Sequence, residues 1–539
     1  MGTEPANDGE RELRDACVDG DVVDLTGRAD RAVRAGFLES LMTDPAVTIR
    51  AVRLRNAVIE GTLDLNSVEI SFPVAFEACE FAAAPDLQDA RLLRLSLRAC
   101  RLPGLAAGGL EVQRSVHLDE GFTSTGTVNL VGARVGGSLY LRDARLDARS
   151  SADGHALNGS RIRVGGHLSC TNSEIHGQLR LISAKIAGVI NLRGTTLSRP
   201  GAVCLQGERM EVGEGLWFGS KFRAAGRLLL SHARVDGGVD LAGSTLTEPE
   251  TMKENDRLPG AAVSLRAVRI RVARNLKCAD GFSSTGAIDI ESAEVAGTLS
   301  FRDAVSCGSG QVVNLAGTSA GTIDLAFKKR PDGTLNLRNT STKVLIDAPD
   351  TWPAVITLDG FRYGRLQAPT EDAPETPVAL RLQWLGRSPN GYLPQPYEQL
   401  AAVYRAAGQE HEARQVALAK QRARRHKLSI PGRIWGRLME ITVGYGYRTW
   451  LAGIWLLGLT VAGATAFELG TPVAAVEKPQ GFHSVVYTLD VLLPIADFGQ
   501  ERSWQFVGGL RWLAWGYVVA GWLLTTSVIS GVTRVLNRS

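Results

Sequence analysis

The sequence has few aromatic residues, little net charge and no paired-cysteine motif. Aromatics make up 6% of its 539 residues, whereas glycine, with 59 residues, is abundant. This balance favours tight turns and thin, stacked layers over a bulky globular core. The net charge of +4 is too small to indicate nucleic-acid binding by itself. The seven cysteines never form C-x-x-C, so we expect buried thiols in a reducing compartment.

Common catalytic, cofactor and targeting motifs are also missing. The sequence contains no H-E-x-x-H, no Walker A and no G-x-S-x-G, and its eight histidines are scattered. GEGLWFG at 213–219 has the wrong spacing for a dinucleotide-binding loop. We therefore predict no catalytic residues, no metal site and no cofactor. The first twenty residues lack an apolar run, so no cleavable signal peptide is expected.

A sequence repeat fills most of the chain. In LSCTNSEIHGQLRLISAKIAGVINLRGTTL, residues 168–197, Cys170, Leu181 and Leu192 lie eleven residues apart. Each unit reads L-x-L-x-x-A-x-I-x-G, so the apolar pairs L-x-L and A-x-I alternate every five or six residues. Residues two apart point to the same side of an extended strand, whereas a helix needs spacings of three and four. The repeat therefore indicates very short strands separated by corners.

Coiling the chain so that every apolar pair points inward predicts a mainly β fold. We expect a right-handed quadrilateral β-solenoid over residues 49–366, with about twenty-two residues per coil. Breaks in the repeat at 147–156, 246–260 and 367–378 predict surface loops. The pattern resembles the pentapeptide-repeat β-solenoids, which implies a scaffold with long faces for partners. Some of those proteins imitate DNA with an acidic face, but basic and acidic residues are mixed throughout this repeat.

The segments on either side of the repeat have helical character. Residues 1–48 predict a helical N-terminal cap, because an exposed terminal coil needs a cover. After a linker at 367–393, the stretch beginning PYEQLAAVYRAAGQEHEAR changes to a helical period. Residues 394–428 therefore predict a tetratricopeptide-like helical hairpin, followed by a basic interfacial segment at 429–449.

Two apolar stretches near the C-terminus predict transmembrane helices. The stretches at 450–468 and 511–533 are long enough to span a bilayer, and tryptophans flank them. Between them, residues 469–507 predict an extracytoplasmic loop that contains a short amphipathic helix. A buried helical hairpin is the alternative interpretation of the two apolar stretches.

The distribution of charge predicts the orientation of these spans. Basic residues concentrate before the first span, whereas the connecting loop is mostly acidic, which places both termini and the solenoid on the cytoplasmic side of the plasma membrane. Nucleic acid is a competing ligand for such a cluster, but its position just before a span favours anionic lipid. The predicted lipid-contact residues are Lys420, Arg422, Arg424, Arg425, Lys427, Arg433 and Arg437.

The letters TVGYG at 442–446 match the selectivity filter of potassium channels. A filter must lie in a re-entrant loop between two spans, whereas this motif precedes the first span, so it does not indicate a channel. The loop at 481–504 has the layout of a pore helix and its following loop, although it lacks T-x-G-Y-G-D. Tyr487, Asp490, Pro494 and Asp497 are its candidate functional residues, and the two aspartates would form a carboxylate ring in a homo-oligomer.

As a whole, the chain resembles a group of actinobacterial two-span membrane proteins. The shared features are the solenoid, the PYEQLAAVYR hairpin, VGYGYR and the loop LDVLLPIADFGQ. The resemblance implies a membrane protein, and the label "membrane-associated oxidoreductase" carried by some members implies redox activity. From the residues we predict a membrane-anchored cytoplasmic scaffold that binds an unknown protein partner and membrane lipids. An oligomeric ion channel or sensor gated by the solenoid, and an oxidoreductase, remain as alternatives.

Overall fold

The computed structural model describes residues 4–251, 261–307, 312–370, 372–425, 450–477, 479 and 481–536. The chain divides into two compact units, Met1–Gly391 and Tyr392–Ser539. The first unit contains the β-structure predicted from the repeat, and the second contains mainly helices.

The first unit is a parallel β-solenoid of about 14 coils, which confirms the predicted fold class of the repeat. A regular coil contributes four short strands, two to each of two sheets that stack coil on coil. Leu54 pairs with Phe76, and Phe76 pairs with Leu97, so a coil without an insertion takes 21 or 22 residues. Inward-pointing Leu, Ile, Val and Phe side chains fill the core, because residues two apart on each strand share one face.

The strands of the first sheet have the following bounds: Val23–Asp24, Val52–Arg55, Glu69–Glu77, Arg91–Arg98, Glu111–Val112, Val116–His117, Arg134–Val135, Leu139–Tyr140, Arg163–Val164, Leu168–Ser169, Lys185–Ile186, Val189–Asn191, Glu211–Val212, Gly215–Trp217, Arg234–Val235, Gly238–Asp240, Arg271–Val272, Leu276–Lys277, Glu294–Ser300, Ser319–Leu325, Ser341–Asp347 and Arg362–Gln367. Those of the second sheet are Ala32–Arg34, Val58–Glu60, Glu80–Phe81, Arg101–Leu102, Leu105–Ala106, Thr123–Ser124, Val128–Asn129, Arg145–Asp147, His155–Asn158, Glu174–His176, Gln178–Arg180, Thr196–Gln206, Arg223–Leu229, Thr245–Thr247, Glu250–Thr251, Ala262–Arg266, Ser283–Ser284, Ala287–Asp289, Ser306–Cys307, Val312–Asn314, Thr334–Asn336 and Val355–Thr357.

Residues in left-handed conformation form the corners of the coils. One such column has φ between 51° and 57° at Asn56, Ala78, Ala99, Asp143 and Asn172. The residue that follows each of them is small and buried, which explains the Ala, Cys, Ser or Thr of the repeat. Where that residue carries a hydroxyl or thiol, it donates to a carbonyl of the preceding coil. Cys100 Sγ, for example, lies 3.4 Å from Phe76 O.

Two of the predicted surface loops account for the two longest coils. Arg134 pairs with Arg163, twenty-nine residues later, and Arg234 pairs with Arg271, thirty-seven residues later. The additional residues fall within the predicted breaks at 147–156 and 246–260, of which 252–260 lie outside the described residues. The stack therefore keeps its register although the chain between neighbouring strands varies in length.

The N-terminal end of the solenoid is covered by helices and also contains the first strands. Helices α1 (Asp8–Asp19) and α2 (Ala35–Thr43) alternate with strands that pair with the following coil, Val23–Asp24 with Leu54–Arg55 and Ala32–Arg34 with Val58–Glu60. The structure thus differs from the predicted purely helical segment at 1–48. The strands there are too short for the repeat to be visible in the sequence.

A short helix lies within the predicted linker at 367–393. Helix α3 (Val378–Leu385) places Arg381, Trp384 and Leu385 among the buried residues. Arg381 forms a two-pronged ion pair with Asp347 of the last coils, with Nη1–Oδ2 and Nη2–Oδ1 distances of 2.6 and 2.7 Å. The Trp352 indole nitrogen donates to the same carboxylate at 2.8 Å. This segment is therefore part of the solenoid unit and fixes its C-terminal end.

The second unit contains the predicted hairpin and the two apolar stretches. Helices α4 (Pro394–Ala406) and α5 (Glu410–Arg425) pack through buried Leu400, Tyr404 and Val416. Helices α6 (Trp450–Glu468), α7 (Ser484–Leu492), α8 (Gln500–Ser503) and α9 (Gly509–Leu536) follow, with a small antiparallel pair of strands, Val473–Ala474 and Trp504–Gln505. Residues 429–449, including TVGYG, lie outside the described residues.

The two predicted membrane spans form helices, but their spanning role is not supported. In the part of the chain that the structure describes, no helix has the length and apolar character needed to cross a membrane. The prediction for 450–468 and 511–533 rested on uncharged runs in the sequence. The structure supports it only to the extent that α6 and α9 are helical.

Candidate ligand-binding groove

A column of charged residues crosses successive coils on one side of the first sheet. Each residue of the column begins a two-residue strand whose second residue, Val or Ile, is at most 2% exposed. The alternation of a strand therefore turns the charged residue outward. The strands pair in register from coil to coil. In order along the stack, the column includes Glu111, Arg134, Arg163, Lys185, Glu211 and Arg234.

Small residues next to this column open a groove. Gly136, Gly165 and Gly213 follow the buried Val of their strands, and each comes very close to the neighbouring coil. A Cβ at Gly136 or Gly165 would lie 2.3 Å from a carbonyl oxygen of the preceding coil. Only glycine permits this approach, and its missing side chain leaves the floor of the groove to the backbone. The groove crosses five coils, from Arg134 to Asp236, and has a volume of about 670 Å³.

Among the described residues, Arg163 has no ion pair, although the cations on both sides of it are paired. Arg134 Nη1 lies 2.6 Å from Glu111 Oε1, and Lys185 Nζ lies 2.8 Å from Glu211 Oε1. Arg163 stands between Arg134 and Lys185, is exposed, and has no ion pair among the described residues. Exposed pairs of this kind contribute only about 0–1 kcal/mol, so Arg134 and Lys185 are also accessible to an incoming anion.

The chemistry of the groove favours binding over catalysis. Its lining consists of Arg, Lys, Glu, Asp, Val, Ile, Gly and Ala, without a Ser, Cys or His in the described residues that form it. Three consecutive cations above an open backbone floor suit a carboxylate or another anionic group. This site was not among those predicted from the sequence. Its signal is the recurrence of RVGG at 134–137, RVGG at 163–166 and KIAG at 185–188.

A second polar cluster surrounds the buried Asp119. Its carboxylate lies 2.9 Å from Arg142 Nη2 and 3.4 Å from both His117 Nδ1 and Arg98 Nε. Burial alone would raise the pKa of Asp119, but hydrogen bonds from His117 and Arg142 outweigh it and hold the pKa below its usual value. Because the carboxylate is fully covered, the cluster ties neighbouring coils together and offers no open carboxylate to a ligand.

The candidate loop residues of the second unit have local structural partners. Asp490 accepts hydrogen bonds from the Phe498 and Glu501 amides at 2.7 and 2.8 Å. Asp497 pairs with Arg502 at 2.7 Å. Tyr487 packs against the rings of Phe467, Phe482 and Phe506. Pro494 follows the end of α7.

These contacts give Asp490 a structural role in its loop. Its two carboxylate oxygens hold the turn that contains Pro494 and Asp497, which explains an aspartate in LDVLLPIADFGQ without a pore. Desolvation, reinforced by the charges of Asp490 and Asp497, raises the pKa of Glu501. A carboxylate ring formed by Asp490 and Asp497 in an oligomer stays a prediction.

The predicted lipid-contact residues are only partly within the described chain. Lys420 pairs with Glu398 at 2.5 Å across the α4–α5 hairpin, and Arg422 and Arg424 are exposed on α5. Arg425 ends this helix. Lys427, Arg433 and Arg437 lie outside the described residues. Contact of this cluster with anionic lipid therefore stays a prediction.

Helices α6 and α9 expose large apolar side chains. On α6, Ile454, Leu457 and Val461 are 54%, 67% and 58% exposed. On α9, Trp512 and Trp515 are 80% and 63% exposed. Exposed apolar residues repeated at helical spacing indicate a surface that contacts lipid or another protein.

Neither metal geometry nor similarity to known proteins adds a further assignment. Among the described residues, no group of three or more His, Cys, Asp or Glu side chains is arranged to hold a metal ion. Comparisons with protein-family models, with curated proteins and with solved structures find no match to this chain.

Proposed function

We propose that the protein is a binding scaffold whose β-solenoid presents the groove to a protein partner. The observation that carries this proposal is the column Arg134, Arg163 and Lys185 beside an open backbone floor. Partner-binding surfaces of solenoids are extended and are built from the same position of successive repeats. The groove has both properties.

The stacking of the coils supports this role because it fixes the backbone positions of the charged residues in advance. Every strand of the column hydrogen-bonds to its neighbours on both sides, and neighbouring strands lie about 4.7–4.9 Å apart. A partner therefore meets cations at fixed spacing. Binding therefore loses little conformational entropy in the solenoid, because the backbone that carries the cations is already ordered.

Site-specific photocrosslinking tests this proposal in cells. Ala187, an exposed residue of the groove floor, is replaced by p-benzoylphenylalanine, and the exposed Thr125 is replaced in the same way as a control. We expect a protein adduct at position 187 whose yield falls at least about tenfold with Arg163→Glu and that does not form at position 125. Identical adducts at both positions, or an adduct of undiminished yield in Arg163→Glu, would contradict the proposal.

We further propose that the second unit attaches the scaffold to the plasma membrane, with both termini and the solenoid on the cytoplasmic side. The exposed apolar side chains of α6 and α9 support this proposal, as does the basic segment that precedes α6 in the sequence. Tryptophan is enriched where proteins meet the membrane interface, and basic residues there attract anionic lipid.

Extraction of membranes tests the attachment. We expect the full-length protein to sediment with membranes after washing with concentrated salt and with alkaline carbonate, and to be released by detergent. Release by salt would mean that only the basic residues hold it at the membrane. Recovery in the soluble fraction without any wash would refute attachment altogether.

A further inference from the structure

We infer that the partner segment bound by the groove is an acidic helix whose carboxylates lie one helical turn apart. This inference rests on the proposed function of the groove and adds the chemistry of its ligand. It follows from the order of the charges, the unpaired central arginine and the spacing of the coils.

The order of charges selects a ligand with a short acidic stretch. Arg134, Arg163 and Lys185 occupy three consecutive coils, and Glu111 and Glu211 close this run at its two ends. A polymer with a negative charge on every unit would place like charges against both glutamates. A protein segment avoids this repulsion, because it can carry acidic residues opposite the three cations and neutral or basic residues opposite the glutamates.

Arg163, at the centre of the three cations, is the expected binding position for one carboxylate. Arg163 is exposed and has no ion pair in the described part of the chain, whereas its neighbours Arg134 and Lys185 are paired on their outer sides. A guanidinium with free donors forms strong two-pronged hydrogen bonds to a carboxylate. The two neighbouring cations then hold the carboxylates before and after the central one.

The spacing of the coils favours a helix over an extended ligand. The strands that carry neighbouring cations are about 4.7–4.9 Å apart along the stack, and one helical turn rises about 5.4 Å. Carboxylates at i, i+4 and i+7 therefore follow three consecutive coils closely. Side chains on one face of an extended strand recur about every 6.4–6.8 Å. The third carboxylate of an extended ligand would therefore lie beyond the strand of the third cation by about the length of one residue.

The glycine floor permits a helix to come close. At Gly136 and Gly165 the groove presents backbone instead of side chains. Carboxylates that point down from a helix can therefore reach the guanidinium and ammonium groups from above the floor. Gly213, next to Glu211, continues this floor beyond the run of cations.

Peptides of equal composition and different spacing test the inference. The probe is a fluorescently labelled, alanine-based helical peptide with glutamates at i, i+4 and i+7, and its isomer carries the same glutamates on different faces. With the full-length protein in low salt, we expect fluorescence anisotropy to show binding of the first peptide about tenfold tighter than binding of its isomer. Arg163→Glu is expected to weaken binding of the first peptide by about tenfold or more.

Arg53→Glu is the matched control, because it makes the same change in net charge at an exposed position on an early coil outside the groove. It is expected to leave peptide binding unchanged. Circular dichroism and the thermal unfolding midpoint establish that both variants are folded. An equal loss of binding in the two variants would show only a general electrostatic attraction and would overturn the inference.

Two further outcomes would also overturn it. Equal binding of the two peptide isomers would exclude recognition of a helical face. Tighter, Arg163-dependent binding of polyphosphate or polygalacturonate than of the peptide would assign the groove to a polymeric anion. If the adduct at position 187 depends on Arg163 while the peptide does not bind, the proposed function stands and the helical ligand is wrong.

Discussion

At the residue scale, the corners of the solenoid depend on side chains in a conformation that most residues avoid. Ala78 and Ala99 have φ of 51° and 52°, although the left-handed conformation costs an L-residue about 1–2 kcal/mol. Other coils place Gly, Asn or Asp at this corner, and these residues adopt it at lower cost. At these corners the backbone therefore adopts a left-handed conformation that alanine disfavours.

Ala99→Gly is expected to raise the free energy of unfolding by up to about 1 kcal/mol. The gain from relieving the left-handed conformation exceeds the extra backbone entropy that glycine loses on folding. Ala75→Gly, within the strand Glu69–Glu77, is the control and is expected to destabilise the protein. Chemical denaturation of both variants measures the difference. A similar loss of stability in the two variants would contradict this account of the corners.

At the scale of elements, the ion pair between the buried Glu10 and the partly exposed Arg34 fixes α1 to the first coils. Glu10 is fully buried and accepts hydrogen bonds from the Ala6 amide at 2.7 Å, the Arg34 amide at 2.9 Å and Arg34 Nη2 at 2.6 Å. Burial alone would raise the pKa of Glu10, but Arg34 and these amides outweigh it and lower the pKa. The ionised carboxylate therefore stabilises the cap above its ordinary pKa of 4.5.

The contribution of Glu10 to stability is expected to disappear in acid. Because its folded-state pKa is lowered, the stabilisation is complete above the unfolded-state value and is lost as the pH falls through the folded-state value. Glu10→Gln should cost about 1–3 kcal/mol at neutral pH, since it leaves Arg34 without its carboxylate.

Thermal unfolding of the wild type and of Glu10→Gln between pH 7 and pH 3 measures this effect. The wild type should lose its advantage as Glu10 becomes protonated, so the difference between the two proteins should shrink below pH 4.5. A difference that stays constant down to pH 3 would contradict the assigned ion pair. Other carboxylates titrate equally in both proteins and cancel in the comparison.

The sequence predicted the strands of the solenoid well because each coil repeats the same apolar pairs. It did not predict the elements at the ends. The ion pair of Asp347 with Arg381, thirty-four residues later, joins a strand to a helix outside the repeat. Charged residues in such segments have no periodic spacing that would indicate which of them become buried. The strands Val23–Asp24 and Ala32–Arg34 were missed for a related reason, because two or three residues show no alternation.

At the scale of the whole molecule, the groove could not be found from the repeat alone. Its central residues are Arg134 and Arg163, twenty-nine apart, and Lys185, twenty-two further on. Loops of different length separate positions that are neighbours in the stack, so the charged column has no single period in the sequence. The apolar runs at 450–468 and 511–533 predicted helices correctly, whereas the spanning role of these helices is without support in the described residues.

We propose different roles for the solenoid and the second unit. The solenoid holds the groove in a fixed backbone geometry, and the helices α6 and α9 expose large apolar side chains. The groove is central to the proposed function, because it combines exposed cations in register with backbone left uncovered at Gly136, Gly165 and Gly213.

Partner binding by the groove is tested by the yield of the photocrosslinked adduct at position 187. This yield is measured in the full-length protein with and without Arg163→Glu. We expect one principal protein adduct whose yield falls at least about tenfold in Arg163→Glu and is unchanged in Arg53→Glu. An adduct of equal yield in all three proteins would show that the groove charges do not select the partner, and the binding role assigned to this face would be wrong.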